Sequence, residues 1–282
     1  MMMRGSLPLK TLGQFTTLLR AVGLRPINRF GRQAMKGLGL EKLYIDFAGL
    51  RMEGSVEDRL HLYQVAANQM EPFMSEQFLS AVRSRSVVLD LGSHLGYYTL
   101  LAAQAGARVY AFEPDPRTFQ YLIRNISING FSDRVVTVPK AVCGTSGIAS
   151  FFANKRPTHS SLVDNSGEVD AITVKQIALD DFLDDNLVVD VIKMDIQGVE
   201  LQALEGMERT IARASRDLVM FIECWPPGLS RAGGSAVVLL EKLSKLGFTV
   251  LVIDEEARCL APAGPHIESV LYVNLLCKRG GC

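Results

Sequence analysis

The chain has 282 residues, 48% of them apolar, and its 30 Lys and Arg are matched by 30 Asp and Glu. A zero formal charge offers no basic excess to hold a polyphosphate backbone, and this much apolar surface offsets the entropy of ordering, so nucleic-acid binding and intrinsic disorder are both disfavoured. Five cysteines (Cys143, Cys224, Cys259, Cys277 and Cys282) form no C-x-x-C pair, which argues against a disulfide framework and against a thiolate zinc site.

Residues 1–40 hold seven basic residues and no acid, leaving the remainder with a net charge of −7. Within this arm Leu12, Phe15, Leu18, Leu19 and Val22 recur at helical spacing. Two readings stand: a helix that covers core with its basic face in water, or a cationic arm making peripheral contact with a membrane or partner. The longest stretch free of charged residues, Leu91–Ala107, has 17 residues, short of the ~20 needed to span a bilayer. With no signal-peptide pattern, the expected location is the cytoplasm, with membrane association through the arm as the variant.

From Glu41 to Arg85 the pattern is mixed. Leu43–Phe47 and Leu50–Met52 read as short strands separated by Gly49, and Pro72–Val82 as a helix. Strand and helix then alternate: strand Val87–Leu91, helix Tyr97–Gln104, strand Arg108–Phe112, helix Pro116–Asn129, strand Val135–Val138. Residues 143–186 read as an insertion with extra strands at Gly144–Asn154 and Asp170–Val174. Beyond it lie strand Asp190–Met194, helix Val199–Met207, strand Asp217–Glu223, helix Ser235–Leu246, and strands Phe248–Ile253 and Ser269–Leu276. Apolar strands alternating with helices predict a doubly wound α/β fold with a mostly parallel sheet, its last strand antiparallel because no helix precedes it. The expected division is a basic extension and cap over 1–85 and a catalytic domain over 86–282.

In such sheets ligands bind at the carboxyl ends of the strands, where strand order reverses. The candidate is Asp90-Leu91-Gly92-Ser93-His94-Leu95-Gly96, in which two glycines allow a tight turn and the following helix would present free N–H groups. Glu113 lies 21 residues after Gly92 at the end of the next strand and suits a carboxylate accepting both hydroxyls of a ribose. A pyrophosphate beside Asp90 would face a carboxylate with no basic residue in the loop. S-adenosylmethionine fits better: its cationic groups favour carboxylates, its own carboxylate can take helix N–H groups, and Tyr97 and Tyr98 could add cation–π contact. The second cluster is Lys193-Met194-Asp195-Ile196-Gln197-Gly198-Val199-Glu200, polar residues at the end of an apolar strand. Asp195 is the first candidate for accepting a substrate proton, with Lys193 holding it in place; for Glu200 a capping role in the helix dipole competes. Glu223 could line the substrate pocket, and His159, in the polar insertion, is a candidate general base. No metal-ligand spacing stands out.

Taken together these motifs resemble the FkbM-type methyltransferases of the class I, S-adenosylmethionine-dependent superfamily. The resemblance runs from Glu71-Pro72 through Val88–Gly92, Gly96–Thr99, Phe112-Glu113-Pro114, Ser160-Ser161-Leu162 and Leu179–Phe182 to Lys193–Glu200. It implies a seven-stranded class I fold and methyl transfer to a hydroxyl of a sugar, glycan or polyketide-type natural product. It also implies that Ala141 and Val142 border the adenine, that Glu71 approaches the cofactor, and that Ser93, His94 and Pro114 lie in cofactor-binding segments. Two departures are visible: Gln197 stands where the family usually has Glu, and Ser93-His94 where it has small or amide residues. Two other readings remain, a nicotinamide-dependent oxidoreductase and a non-catalytic cofactor-binding module.

Overall fold

The computed structural model describes residues 6–8, 42–152, 161–163 and 171–279; the helical reading of the basic arm and the candidate base His159 lie outside these residues. The chain divides into two compact units, Met1–Met70 and Glu71–Cys282. In the first, β1 (Ser6–Pro8) runs parallel to β2 (Lys42–Phe47), which turns at Ala48-Gly49 into antiparallel β3 (Leu50–Ser55). Both turn residues have positive φ, 47° and 78°, a conformation that glycine adopts without steric cost. A helix over Arg59–Ala66 packs on this sheet. Its apolar residues are spread around the axis, with Leu60 and Tyr63 exposed, so no period announces it.

The second unit carries β4 (Val87–Leu91), β5 (Arg108–Phe112), β6 (Val135–Val138), β7 (Ala141–Val142), β8 (Gly147–Phe152) and β9 (Ala171–Ile177). After the insertion come β10 (Val191–Met194), β11 (Val219–Cys224), β12 (Phe248–Asp254), β13 (Cys259–Pro262) and β14 (Val273–Arg279). The large sheet has the order β13-β12-β14-β11-β10-β4-β5-β6. Strands β6, β5, β4, β10 and β11 are parallel, and β14 is antiparallel to both neighbours, as the missing crossover helix predicted. The sheet has eight strands rather than seven, because β13 folds back on β12 as an edge hairpin. Strands β4 and β10 are buried along almost their whole length, as expected for parallel strands covered on both faces.

Helices Tyr97–Gln104 and Pro116–Ile128 follow β4 and β5, and Ala236–Lys245 precedes β12. The expected helix Val199–Met207 is instead two short ones, Glu200–Glu205 and Glu208–Arg213. A Cβ on Gly206, between them, would lie 2.3 Å from the Cys143 carbonyl oxygen, so close packing on the strand after β6 sets the break. Asp180, from one of the resembling motifs, caps the second of these helices by accepting from the Thr210 amide and hydroxyl, both at 2.7 Å. The insertion supplies β8 and β9, which join β7 in a three-stranded sheet, β7-β9-β8, over a small core of Ala141, Phe151 and Val174. From β4 the chain builds outward to β5 and β6 on one side, and from β10 to β11 on the other. The strand order therefore reverses between β4 and β10, which places the ligand crevice at the carboxyl ends of those two strands.

Candidate active site

The two sequence clusters meet at that reversal. Register pairs Asp90 with Lys193 across β4 and β10, and the Asp195 amide continues the ladder to the Leu91 carbonyl at 3.0 Å. The turn after β4 is wedged against the one after β10: a Cβ on Gly92 (φ +82°) would lie 2.0 Å from the Asp195 carbonyl oxygen. Gly92 is thus required by the protein's own packing. The amides of the loop ahead of the helix are engaged within the protein. Those of Gly92 and Ser93 both donate to the Phe112 carbonyl (3.0 and 2.9 Å), that of His94 to Glu113 (2.9 Å), and that of Gly96 to the Ser93 carbonyl (2.8 Å).

Lys193 is the hub of the site. It is buried, its Nζ lies 3.5 Å from Asp195 Oδ2 and 5.2 Å from the centre of the Tyr98 ring. Burial works against the ammonium, but the carboxylates of Asp195, Glu71, Glu223 and Asp90 outweigh it and hold its pKa above the ordinary lysine value. Four carboxyl groups therefore surround one cation. Asp90 is buried and takes the Thr99 hydroxyl; burial raises its pKa, with Thr99 and Lys193 opposing. Glu71 accepts from the Tyr98 hydroxyl at 2.8 Å and from the Asn274 amide of β14 at 2.6 Å. The Tyr98 ring faces the protein's own cation, and the Tyr97 hydroxyl pairs with Ser75 at 3.1 Å.

Asp195 and Glu223 share the amide of Gln197, which donates to Asp195 Oδ1 at 2.7 Å and also to Glu223 Oε2. Burial raises both carboxyls, yet Lys193, Glu223 and Gln197 together hold Asp195 below its ordinary range, while the Asp195 charge drives Glu223 well above its own. Asp195 is the ionised member of the pair. Glu200 is fully buried at the first residue of its helix and accepts the amide of Gly198, which lies ahead of the helix, at 3.1 Å; burial pushes its pKa up to about 7.

At the end of β5, Glu113 accepts from the amides of His94 and Asp115 (2.9 and 2.8 Å), one on each oxygen. Burial, opposed by His94, pushes its pKa up to about 7. Pro114 lies between it and Asp115, which caps helix Pro116–Ile128 through the Arg117 amide at 2.8 Å and so fixes the strand end. Ala141 and Val142 are buried in β7, just past β6, whose Val138 carbonyl takes the Glu113 amide at 3.1 Å. Glu71, His94 and Gln197 all adopt left-handed φ values of 44°, 49° and 57°, a strain worth about 1–3 kcal/mol each for residues with a Cβ. Sequence reasoning missed Asn274 and undervalued Gln197. The available signal for Asn274 was a lone amide in the otherwise apolar stretch Val273–Cys277.

The model of the methyltransferase FkbM domain matches residues 90–250. The chain belongs to the FkbM methyltransferase family. Among relatives of this FkbM methyltransferase is the hexuronic acid methyltransferase AglP of Haloferax volcanii, 26% identical over 59% of this chain and 68% of that one. Another is methyltransferase sdnD of Sordaria araneosa, 25% identical over 60% of this chain and 80% of its own length. Among solved structures, TYW2 of M. jannaschii in complex with AdoMet aligns at 13% identity and a TM-score of 0.45, covering 84% of each chain.

The cofactor is S-adenosylmethionine. The residues present fit it: a crevice with more carboxyl groups than cations suits a ligand bearing a sulfonium and an ammonium, and Glu113 keeps a lone pair on each oxygen for a vicinal diol. Among the described residues no three His, Cys, Asp or Glu side chains are arranged to hold a metal ion, and no helix is long and apolar enough to cross a membrane.

Proposed function

We propose that this FkbM methyltransferase methylates a hydroxyl of a sugar, glycan or polyketide-type natural product, with Asp195 accepting the hydroxyl proton. The observation that carries this reading is the Asp195 carboxylate, 3.5 Å from the Lys193 ammonium and accepting the Gln197 amide, at the crevice between β4 and β10. When bound, S-adenosylmethionine supplies an electrophilic methyl group on a sulfonium. The protein's part is to orient the acceptor oxygen, exclude water and take one proton at Asp195 Oδ. A lowered pKa makes Asp195 a weak base, which suits a proton that leaves late, when transfer of the methyl has already made the oxygen acidic. We assign the acceptor to a groove of about 470 Å³ lined by Leu162, Val163, Val199, Gln202 and Arg231. That groove abuts the Gln197 turn, whose carbonyl takes the Ser161 hydroxyl at 2.6 Å. The similarity to a hexuronic acid methyltransferase favours a sugar acceptor.

The test is a panel of hydroxylated acceptors, with free and glycan-linked hexuronic acids first, scored by mass for a single added methyl. Modification confined to amine acceptors would overturn the hydroxyl reading. Asp195→Ala should lower turnover by about 10²–10⁴-fold, the usual worth of a positioned proton acceptor, while S-adenosylhomocysteine affinity changes far less. Equal losses in both would remove Asp195 from the chemistry.

We assign the ribose hydroxyls to Glu113. An ionised carboxylate is the better acceptor, so binding must expel a proton whenever the pH lies below about 7. S-adenosylhomocysteine affinity should therefore fall by up to about tenfold per pH unit below that value, and Glu113→Gln should weaken binding while flattening the dependence. A pH-independent affinity from 5.5 to 8 in the wild type would contradict the assignment.

A further inference from the structure

We propose that Glu223 is the residue with which the site exchanges a proton for the positive charge of the cofactor, so that S-adenosylmethionine, and not its product S-adenosylhomocysteine, displaces a proton from the Asp195–Glu223 pair on binding. The inference rests on the cofactor assignment but not on the identity of the acceptor.

The geometry carries it. Glu223 Oε2 and Asp195 Oδ1 both sit on the single Gln197 amide nitrogen, and two carboxylates this close do not both ionise without a second cation. One is within reach, the Lys193 ammonium, and its nearer partner is Asp195 at 3.5 Å. The other groups facing Glu223 make its ionisation harder still. Glu71 enters from the head of helix Pro72–Ala81 and adds negative charge beside Glu223, while Asp90 of β4 competes for the same ammonium. From the antiparallel side, β14 places Asn274 opposite Glu223, and its amide is spent on Glu71. The pair therefore holds one proton, on Glu223, in the protein without ligand.

The charge count then closes on binding. The methionine ends of both ligands are zwitterionic; the sulfonium adds one positive charge to S-adenosylmethionine alone. That charge offsets the second carboxylate, Glu223 ionises, and its proton leaves for solvent. When the sulfur loses its methyl group it loses its charge, and the pair can again retain a proton, which the acceptor supplies. The proton of the overall reaction is thus released at cofactor binding, before methyl transfer. The same exchange makes product binding comparatively weak at alkaline pH, where a neutral sulfur cannot support two carboxylates.

Isothermal calorimetry without acceptor, in phosphate and in Tris at pH 7 to 8, measures the protons released with each ligand. S-adenosylmethionine should release up to about one proton more than S-adenosylhomocysteine, and its relative affinity should rise with pH by up to about tenfold per unit. Any proton lost at Glu113 is common to both ligands and cancels. In Glu223→Gln the excess should vanish and the affinity ratio become flat. Equal release by both ligands in the wild type, or an excess that persists in Glu223→Gln, overturns the proposal. The wild-type comparison decides even if the variant does not fold, and failure of either ligand to bind would overturn the cofactor assignment itself.

Discussion

Gly92→Ala is expected to destabilise the protein and abolish cofactor binding together. The new methyl group would stand 2.0 Å from the Asp195 carbonyl oxygen and 3.0 Å from its carbon, with φ at +82°. Neither side can yield cheaply. The Asp195 amide is bonded to Leu91, and the Gly92 amide to Phe112, so moving either strand end breaks the ladder joining β5, β4 and β10. Left-handed alanine costs about 1–2 kcal/mol, and forcing a methyl into filled space about 1–3 kcal/mol more. Urea denaturation should show a loss within the sum of those ranges, and calorimetry no measurable S-adenosylhomocysteine binding. A variant of wild-type stability would mean the two turns do not touch.

Lys193→Met should be nearly as damaging, and its damage should depend on pH. Methionine fills similar space, so the loss is electrical: Asp90, Glu71, Asp195 and Glu223 are left around a neutral side chain. Removing one partner of a buried ion pair typically costs about 3–5 kcal/mol. The sign follows from Asp195, whose folded pKa lies below its ordinary value mainly because Lys193 opposes the effect of burial. In the wild type that carboxyl contributes stability above its unfolded pKa and loses it as the pH falls through the folded one. In Lys193→Met the support is gone and burial dominates, so the variant should regain stability relative to wild type as pH falls from 7.5 to 5. A deficit constant across that range would mark Lys193 as a packing residue only.

The large elements were legible because their physics is local. Parallel strands buried on both faces read as apolar runs, and Asp115 and Ser235 mark the helix starts they cap. What escaped was set by distant contacts or by short, weak strands. β13 holds only Cys259-Leu260-Ala261-Pro262 and ends in a residue that cannot donate to a ladder, so nothing local distinguishes it from a loop. The positions of Asp90, Glu113 and Asp195 at strand ends followed from spacing alone. Their partners did not: Glu71 meets Asn274 across 203 residues, and Gln197 bridges Asp195 to Glu223 only because β10 and β11 happen to be neighbours. The turn of Tyr98 toward Lys193 is likewise a product of how helix Tyr97–Gln104 lies on β4 and β5.

The strand order has a consequence for how such a protein is made. β14 is translated after every strand of the large sheet, yet it lies between β11 and β12. Until it arrives, those two strands present open edges that pair poorly with each other and readily with strangers. A nascent chain can pair β4, β5, β6, β10 and β11 early, but β11 keeps an open edge until β14 arrives. Asn274, which secures Glu71 at the cofactor crevice, travels on that same late strand. Competence to bind the cofactor is thus delayed until β14 has left the ribosome, and a message truncated before Val273 would yield an adhesive intermediate rather than a weakened enzyme.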